Sequence, residues 1–185
     1  SIYKTMALKL KGEKEVLWGH IQRSGKSFII AGSIIECSNK KDKCNYLVIT
    51  PAPKETISQY ISVFDCFQLK DFNVIYLDGD NKEPEITNKN IVICSKQFLQ
   101  SKLEKKDQKP VPWLKKMSFE MRFIDESHYG VTTELAKDIL KIYGKNSFTV
   151  QITATYSKPT KDYNISRKNW ILWDLEDVNI CKKNK

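Results

Sequence analysis

The sequence predicts an α/β fold, a mostly parallel sheet with helices on both faces, built as a single domain over all 185 residues. Short apolar runs recur along the chain, such as YLVIT at 46–50 and NVIYL at 73–77, as expected of strands covered on both faces. Helical segments separate most of them, so successive strands are mainly joined by crossovers rather than hairpins. Polar motifs sit just past the ends of the apolar runs, where ligands gather in such sheets.

Residues 2–11 read as a helix with Ile2, Met6, Leu8 and Leu10 as its apolar members, and Gly12 ends it. A strand is expected at 15–18, then a loop, then a helix over 25–36 with Ile29, Ile30, Ile34 and Ile35 as an apolar stripe. The polar stretch 38–45 reads as a surface loop before the strand at 46–50. Pro51 and Pro53 stop that strand, and a helix containing Cys66 is expected over 54–67. The strand at 73–77 leads into a loop rich in turn formers, followed by a strand at 91–94 and a helix at 96–103.

The charged stretch 104–109 reads as a surface loop, and 111–117 as one helical turn started near Pro112. A strand at 121–124 ends in Asp125-Glu126-Ser127-His128. Residues 132–143 form an amphipathic helix with Leu135, Ile139 and Ile142 on one side and Gly144 as its stop. Strands at 148–152 and 170–173 complete the reading, the first running into Thr153-Ala154-Thr155.

Composition narrows the function classes. Hydrophobic residues make up 41% and charged residues 29%, an ordinary globular balance. No apolar run approaches the ~20 residues of a membrane-spanning helix, and no membrane partner is expected. The N-terminal stretch has no apolar signal core and opens on Ser1 rather than Met, so a processed or excised piece of a longer protein is expected. Five scattered cysteines (Cys37, Cys44, Cys66, Cys94, Cys181) and two histidines offer no four-ligand zinc spacing and point to a reducing intracellular compartment, cytoplasm or nucleus. A net charge of +9 and a pI near 9.2 make nucleic acid, DNA or RNA, the leading partner class. A solvated lysine-rich surface has the same composition.

The chemistry centres on 15–30, EVLWGHIQRSGKSFII. An apolar run, a loop closing in Gly25-Lys26-Ser27 and a helix start follow one another in the order a phosphate cradle requires. Backbone N–H groups of Gln22, Arg23, Ser24 and Gly25 would turn toward a nucleotide's phosphates, backed by the helix dipole. Lys26 would bring an ammonium to the β and γ phosphates, and Ser27 a hydroxyl to Mg²⁺. ATP and Mg²⁺ are therefore the expected cofactors. Downstream, FIDESH at 123–128 places adjacent acids past an apolar strand. Asp125 there can hold Mg²⁺ and Glu126 can take a proton from the attacking water.

Together these residues resemble the first RecA-like motor domain of a superfamily two helicase or translocase. GHIQRSGKS is similar to its motif I, ITPAPKETISQ (49–59) to motif Ia, IVICSKQFL (91–99) to motif Ib, DESH to the DExH form of motif II, and TAT (153–155) to motif III. The similarity covers about 16–155 and is nearest to the group of type III restriction subunits and large-DNA-virus helicases. It implies that Lys26, Asp125 and Glu126 are catalytic, that Ser27 and Asp125 hold Mg²⁺, and that His128, Thr153 and Thr155 couple nucleotide state to nucleic-acid grip. Pro51, Ser95 and Gln97 would lie against nucleic-acid phosphates. Two positions depart from the pattern: His20 replaces a small residue and Arg23 stands where Gly is common, which would narrow the loop or add a phosphate contact.

The resemblance further implies a second RecA-like domain bearing an arginine finger, with residues 175–185 beginning the linker to it. The isolated domain is expected to bind ATP and hydrolyse it slowly. The alternative is a nucleic-acid-binding module that retains the fold with weak turnover. A P-loop kinase fits less well, because FIDESH and TAT have no role there.

Overall fold

The computed structural model describes residues 1–21, 24–51, 55–77, 83–104, 111–125, 134–154, 165–173 and 179. In chain order the elements are α1 (Ile2–Leu10), β1 (Glu15–His20), α2 (Lys26–Ser38), β2 (Cys44–Thr50), α3 (Glu55–Phe64), β3 (Asn73–Leu77), β4 (Lys89–Ser95), α4 (Lys96–Glu104), α5 (Pro112–Lys116), β5 (Met121–Ile124), α6 (Glu134–Ile142), β6 (Phe148–Thr153) and β7 (Trp170–Trp173). The seven strands form one sheet in the order β3-β4-β2-β5-β6-β1-β7, and every paired neighbour runs parallel.

The strands are rich in Val, Ile and aromatic residues, which favour extended backbone and pack on both faces. One face carries α1, α2 and α3, whose Leu8, Ile30, Ile34, Tyr60 and Phe64 cover Val16, Trp18, Val48, Phe123 and Val150. The opposite face carries α4, α5 and α6, with Leu99, Trp113, Leu114, Ile139 and Tyr143 over Leu47, Ile49, Val92 and Ile124. Central strands therefore present apolar side chains on both sides, which accounts for their unbroken apolar runs.

The helix expected over 54–67 stops at Phe64. Cys66 lies beyond it in extended backbone, and a 3-10 turn at Phe67–Leu69 follows, which buries Leu69. A second 3-10 turn, Arg167–Asn169, leads into β7. Gly144 ends α6 with φ +63°, a conformation glycine adopts without penalty. The Arg122 guanidinium secures that end, donating to the carbonyls of Leu140 and Tyr143 and to Thr149 Oγ1. No helix among the described residues is long and apolar enough to cross a membrane.

Because the strands are parallel, all their carboxyl ends share one edge. His20, Thr50, Ser95, Ile124 and Thr153 close five neighbouring strands there. Register pairs Thr50 with Ser95 and Gly19 with Thr153, so the predicted motifs are brought level by the sheet itself.

Candidate nucleotide-binding site

The loop after β1 turns into α2 at Gly25, which adopts φ +77° and ψ +31°, the left-handed region. That backbone aims the first N–H groups of α2 out of the helix, and no described side chain caps them. Ser24 Oγ is buried beside them without a hydrogen-bond partner among the described residues. An uncapped helix start with an orphaned hydroxyl fits an anion with several acceptor oxygens.

Lys26 opens α2 and reaches across to β5, where its Nζ lies 3.7 Å from Asp125 Oδ1. Both side chains are largely buried, at 14% and 9% exposure, so the pair is shielded from bulk water. Asp125 follows the last residue of β5, and its backbone N–H bonds to Ile49 O at 2.9 Å, which carries the strand pairing one residue past β5. Tyr60 of α3, itself buried, donates its hydroxyl to Asp125 Oδ2 at 3.0 Å. Trp18 of β1 and Phe123 of β5 pack together on the α1–α3 face, with ring centroids 6.0 Å apart, and tie the loop's strand to the carboxylate's strand.

His20 is fully buried. Its ring stacks on Trp18 at 5.4 Å and its Nε2 is hydrogen-bonded to Ser1 Oγ at 3.0 Å. Trp18 Nε1 in turn donates to Thr5 Oγ1, so the bulky residue at this position binds α1 to the base of the loop. Burial, with the positive amino terminus and Lys26 nearby, lowers the His20 pKa to about 4. The ring is therefore neutral at physiological pH.

The profile of the family described as "Type III restriction enzyme, res subunit" matches residues 1–158. The chain belongs to that family. Among solved structures it is similar to the Sulfolobus solfataricus SWI2/SNF2 ATPase core in complex with dsDNA, with a TM-score of 0.64, 15% identity, and 86% of this chain and 31% of that one covered. It is also similar to the Pyrococcus furiosus Hef helicase domain, with a TM-score of 0.60, 15% identity, and 97% and 40% covered. The UvsW helicase of bacteriophage T4 gives a TM-score of 0.57, 14% identity, and 84% and 53% covered. These likenesses establish the fold, that of RecA-like ATPase domains of helicases. This chain spans between 31% and 53% of the length of those three chains. Among curated proteins no match was found.

In this chain the expected nucleic-acid contacts Pro51, Ser95 and Gln97 sit at the same sheet edge as the loop after β1. Pro51 is half-buried directly after β2, and Gln97 is exposed on the first turn of α4. Ser95 is buried and its Oγ accepts the Phe98 N–H at 3.0 Å, which makes it the N-cap of α4. Lys96 stands beside it, its ammonium pKa lowered by burial. Thr153 is fully buried at the end of β6. Gln22, Arg23, Glu126, His128 and Thr155 lie outside the described residues. Tyr60 was not a sequence candidate. Its role depends on α3 crossing over β5, a relation between positions 65 residues apart.

Proposed function

We propose that the chain is the ATP-binding motor domain of a DExH-type nucleic-acid helicase or translocase, coupling ATP hydrolysis to movement on DNA or RNA. The observation that carries this reading is the 3.7 Å approach of Lys26 to Asp125 across one strand-end cleft, beside an uncapped helix start. Lys26 is poised to exchange its carboxylate partner for the β and γ phosphates of ATP. Ser27 and Asp125 are the residues that would hold Mg²⁺, which when bound neutralises charge on the phosphates. Glu126 would accept the proton of the attacking water. His128, Thr153 and Thr155 would relay the state of the cleft to Pro51, Ser95 and Gln97 on the nucleic acid.

A neighbour of the same fold was solved with dsDNA, and another, the type ISP restriction-modification enzyme LlaGI, with a DNA substrate mimic; both support a nucleic-acid partner. A second RecA-like domain would supply the arginine finger, and without it turnover should be slow, since such fingers are worth ~10³ to 10⁵ in rate. The free thiols of Cys37, Cys44, Cys66 and Cys94 suit a reducing compartment, cytoplasm or nucleus.

The test is a Lys26→Ala variant titrated with a fluorescent ATP analogue, alongside ATP turnover with and without single- and double-stranded DNA and RNA. Loss of nucleotide binding, with strand-stimulated turnover in the unsubstituted protein, is expected. Undiminished nucleotide affinity in the variant would overturn the site. Nucleotide binding without stimulation by any strand would favour the binding-module alternative.

A further inference from the structure

In a fully parallel sheet the amino ends of the strands share the edge remote from the nucleotide loop. All seven strands here are preceded by, or open on, a lysine within five residues: Lys14, Lys43, Lys70, Lys89, Lys116, Lys145 and Lys168. At a strand spacing near 4.8 Å, seven strands spread these ammonium groups over about 29 Å. That is the length of about eight base pairs of duplex.

Along this edge run two adjoining grooves of about 630 and 280 Å³, which share Phe119, Lys145, Asn146 and Ser147. Their cationic lining is Lys9, Lys14, Arg122 and Lys145 in the larger, with Lys115 and Lys116 added in the smaller. Three acids also line the larger one. Glu13 is held by Lys168 at 2.6 Å, Glu120 is held by Lys41 and by Lys9, and the half-buried Glu15 feels the charge of Arg122 without an ion pair to it. Asp42 and Asp71 lie outside both grooves.

Lys14, Lys115, Lys116 and Lys145 are exposed and form no ion pair among the described residues. Helix dipoles do not account for them. Lys14 precedes a strand, Lys145 lies beyond the Gly144 stop of α6, and α5 has only five residues. The grooves span the amino ends of β5, β6 and β1, within the longer lysine-bearing edge, and an open, polar, positively charged surface of this kind suits a regularly charged polyanion better than a small apolar ligand.

We propose that this amino-terminal edge of the sheet is a second contact surface for a nucleic-acid phosphate backbone, separate from the strand-end site. The proposal rests on the nucleic-acid reading above. It places a flanking arm of duplex under the domain while the strand-end cleft handles the segment being moved.

The test compares two triple variants of equal charge loss, Lys115→Gln/Lys116→Gln/Lys145→Gln at the edge and Lys4→Gln/Lys102→Gln/Lys137→Gln elsewhere. Binding of a fluorescein-labelled 30-base-pair duplex is followed by anisotropy at several salt concentrations, with ATP-analogue affinity as the control for folding. The edge variant should lose roughly tenfold or more in duplex affinity, and its log–log salt slope should fall by about 2 to 3, as loss of three phosphate contacts requires. Its ATP-analogue affinity should be unchanged. An unaltered slope, or an equal loss in the other triple, overturns the proposal. Should the edge triple lose ATP-analogue affinity, single Lys→Gln variants replace it, each expected to lower the slope by about 1 and an unchanged slope in all three overturning the proposal. If the unsubstituted protein binds no nucleic acid at all, the functional reading fails as well, so the two failures are distinguishable.

Discussion

Tyr60 and Lys26 hold opposite oxygens of one carboxylate: the Tyr60 hydroxyl donates to Asp125 Oδ2 at 3.0 Å, and Lys26 Nζ faces Oδ1 at 3.7 Å. The orientation of Asp125 is thus set by a helix on the α1–α3 face as well as by the nucleotide loop.

Removing the hydroxyl while keeping the ring isolates that contribution. Tyr60→Phe should leave ATP-analogue affinity within about threefold and lower strand-stimulated turnover about tenfold, the worth of one hydrogen bond to a charged group. Turnover equal to that of the unsubstituted protein would show that Asp125 is oriented without it.

Gly25 tests the loop backbone. A methyl group there would meet only Phe28 Cδ2 at 3.9 Å, an ordinary contact, so the penalty of Gly25→Ala is conformational. It is about 1 to 2 kcal/mol for an L-residue in the left-handed region. The free loop is expected to relieve that strain by leaving the left-handed region and to pay it again on binding, so nucleotide affinity should fall about tenfold with little change in urea midpoint. An unchanged affinity would mean that the left-handed turn is dispensable for binding.

His20 makes stability depend on pH. Its folded-state pKa of about 4 lies below the ordinary 6.5, so folded and unfolded chains both hold it neutral at pH 7. As pH falls below 6.5 the unfolded chain takes up a proton that the folded chain refuses, and stability declines until pH 4 is passed. The full loss is about 3 kcal/mol. Urea unfolding at pH 7 and pH 4.5 should show a drop that is smaller in His20→Gln. Equal drops in the two proteins would assign the acid sensitivity to other groups.

Asn90 is fully buried at the start of β4 and donates to Asn45 Oδ1 and to Thr87 O, both at 2.7 Å, while accepting the Thr87 N–H at 3.0 Å. Asn73 completes a ladder across β3, β4 and β2. Asn90→Ala leaves half-buried Asn45 and exposed Thr87 without their partner and should cost about 1 to 3 kcal/mol, read as a lower urea midpoint with unchanged slope. ATP-analogue affinity should be retained, because the ladder lies at the far edge of the sheet. A midpoint shift under about 0.5 kcal/mol would show that water replaces these bonds.

Much of this architecture was legible in the sequence because apolar runs at 73–77, 121–124 and 170–173 end at polar or acidic residues, and their strands match the reading residue for residue. That Lys26 and Asp125 each follow an apolar strand was legible too, since each motif carries its own local signature, while their 3.7 Å approach is set by the fold. Three features were not. Asn90 reads as a turn former, yet its partners come from neighbouring strands that sequence proximity does not reveal. Tyr60 looks like any core aromatic until α3 is laid over β5. His20, at a position where a small residue is usual, suggested a change in the loop, whereas its side chain points along the Trp18 face and serves α1 instead.

Ser95 caps α4 through its oxygen, so on the proposed reading its hydroxyl proton is what it would offer a phosphate. A carboxylate is an equally good cap and a repellent to polyanions. Aspartate at this one position would therefore keep the helix start while making the strand-end surface hostile to a nucleic-acid backbone. On that reading, capping of the helix and grip on the strand would be separable at a single side chain.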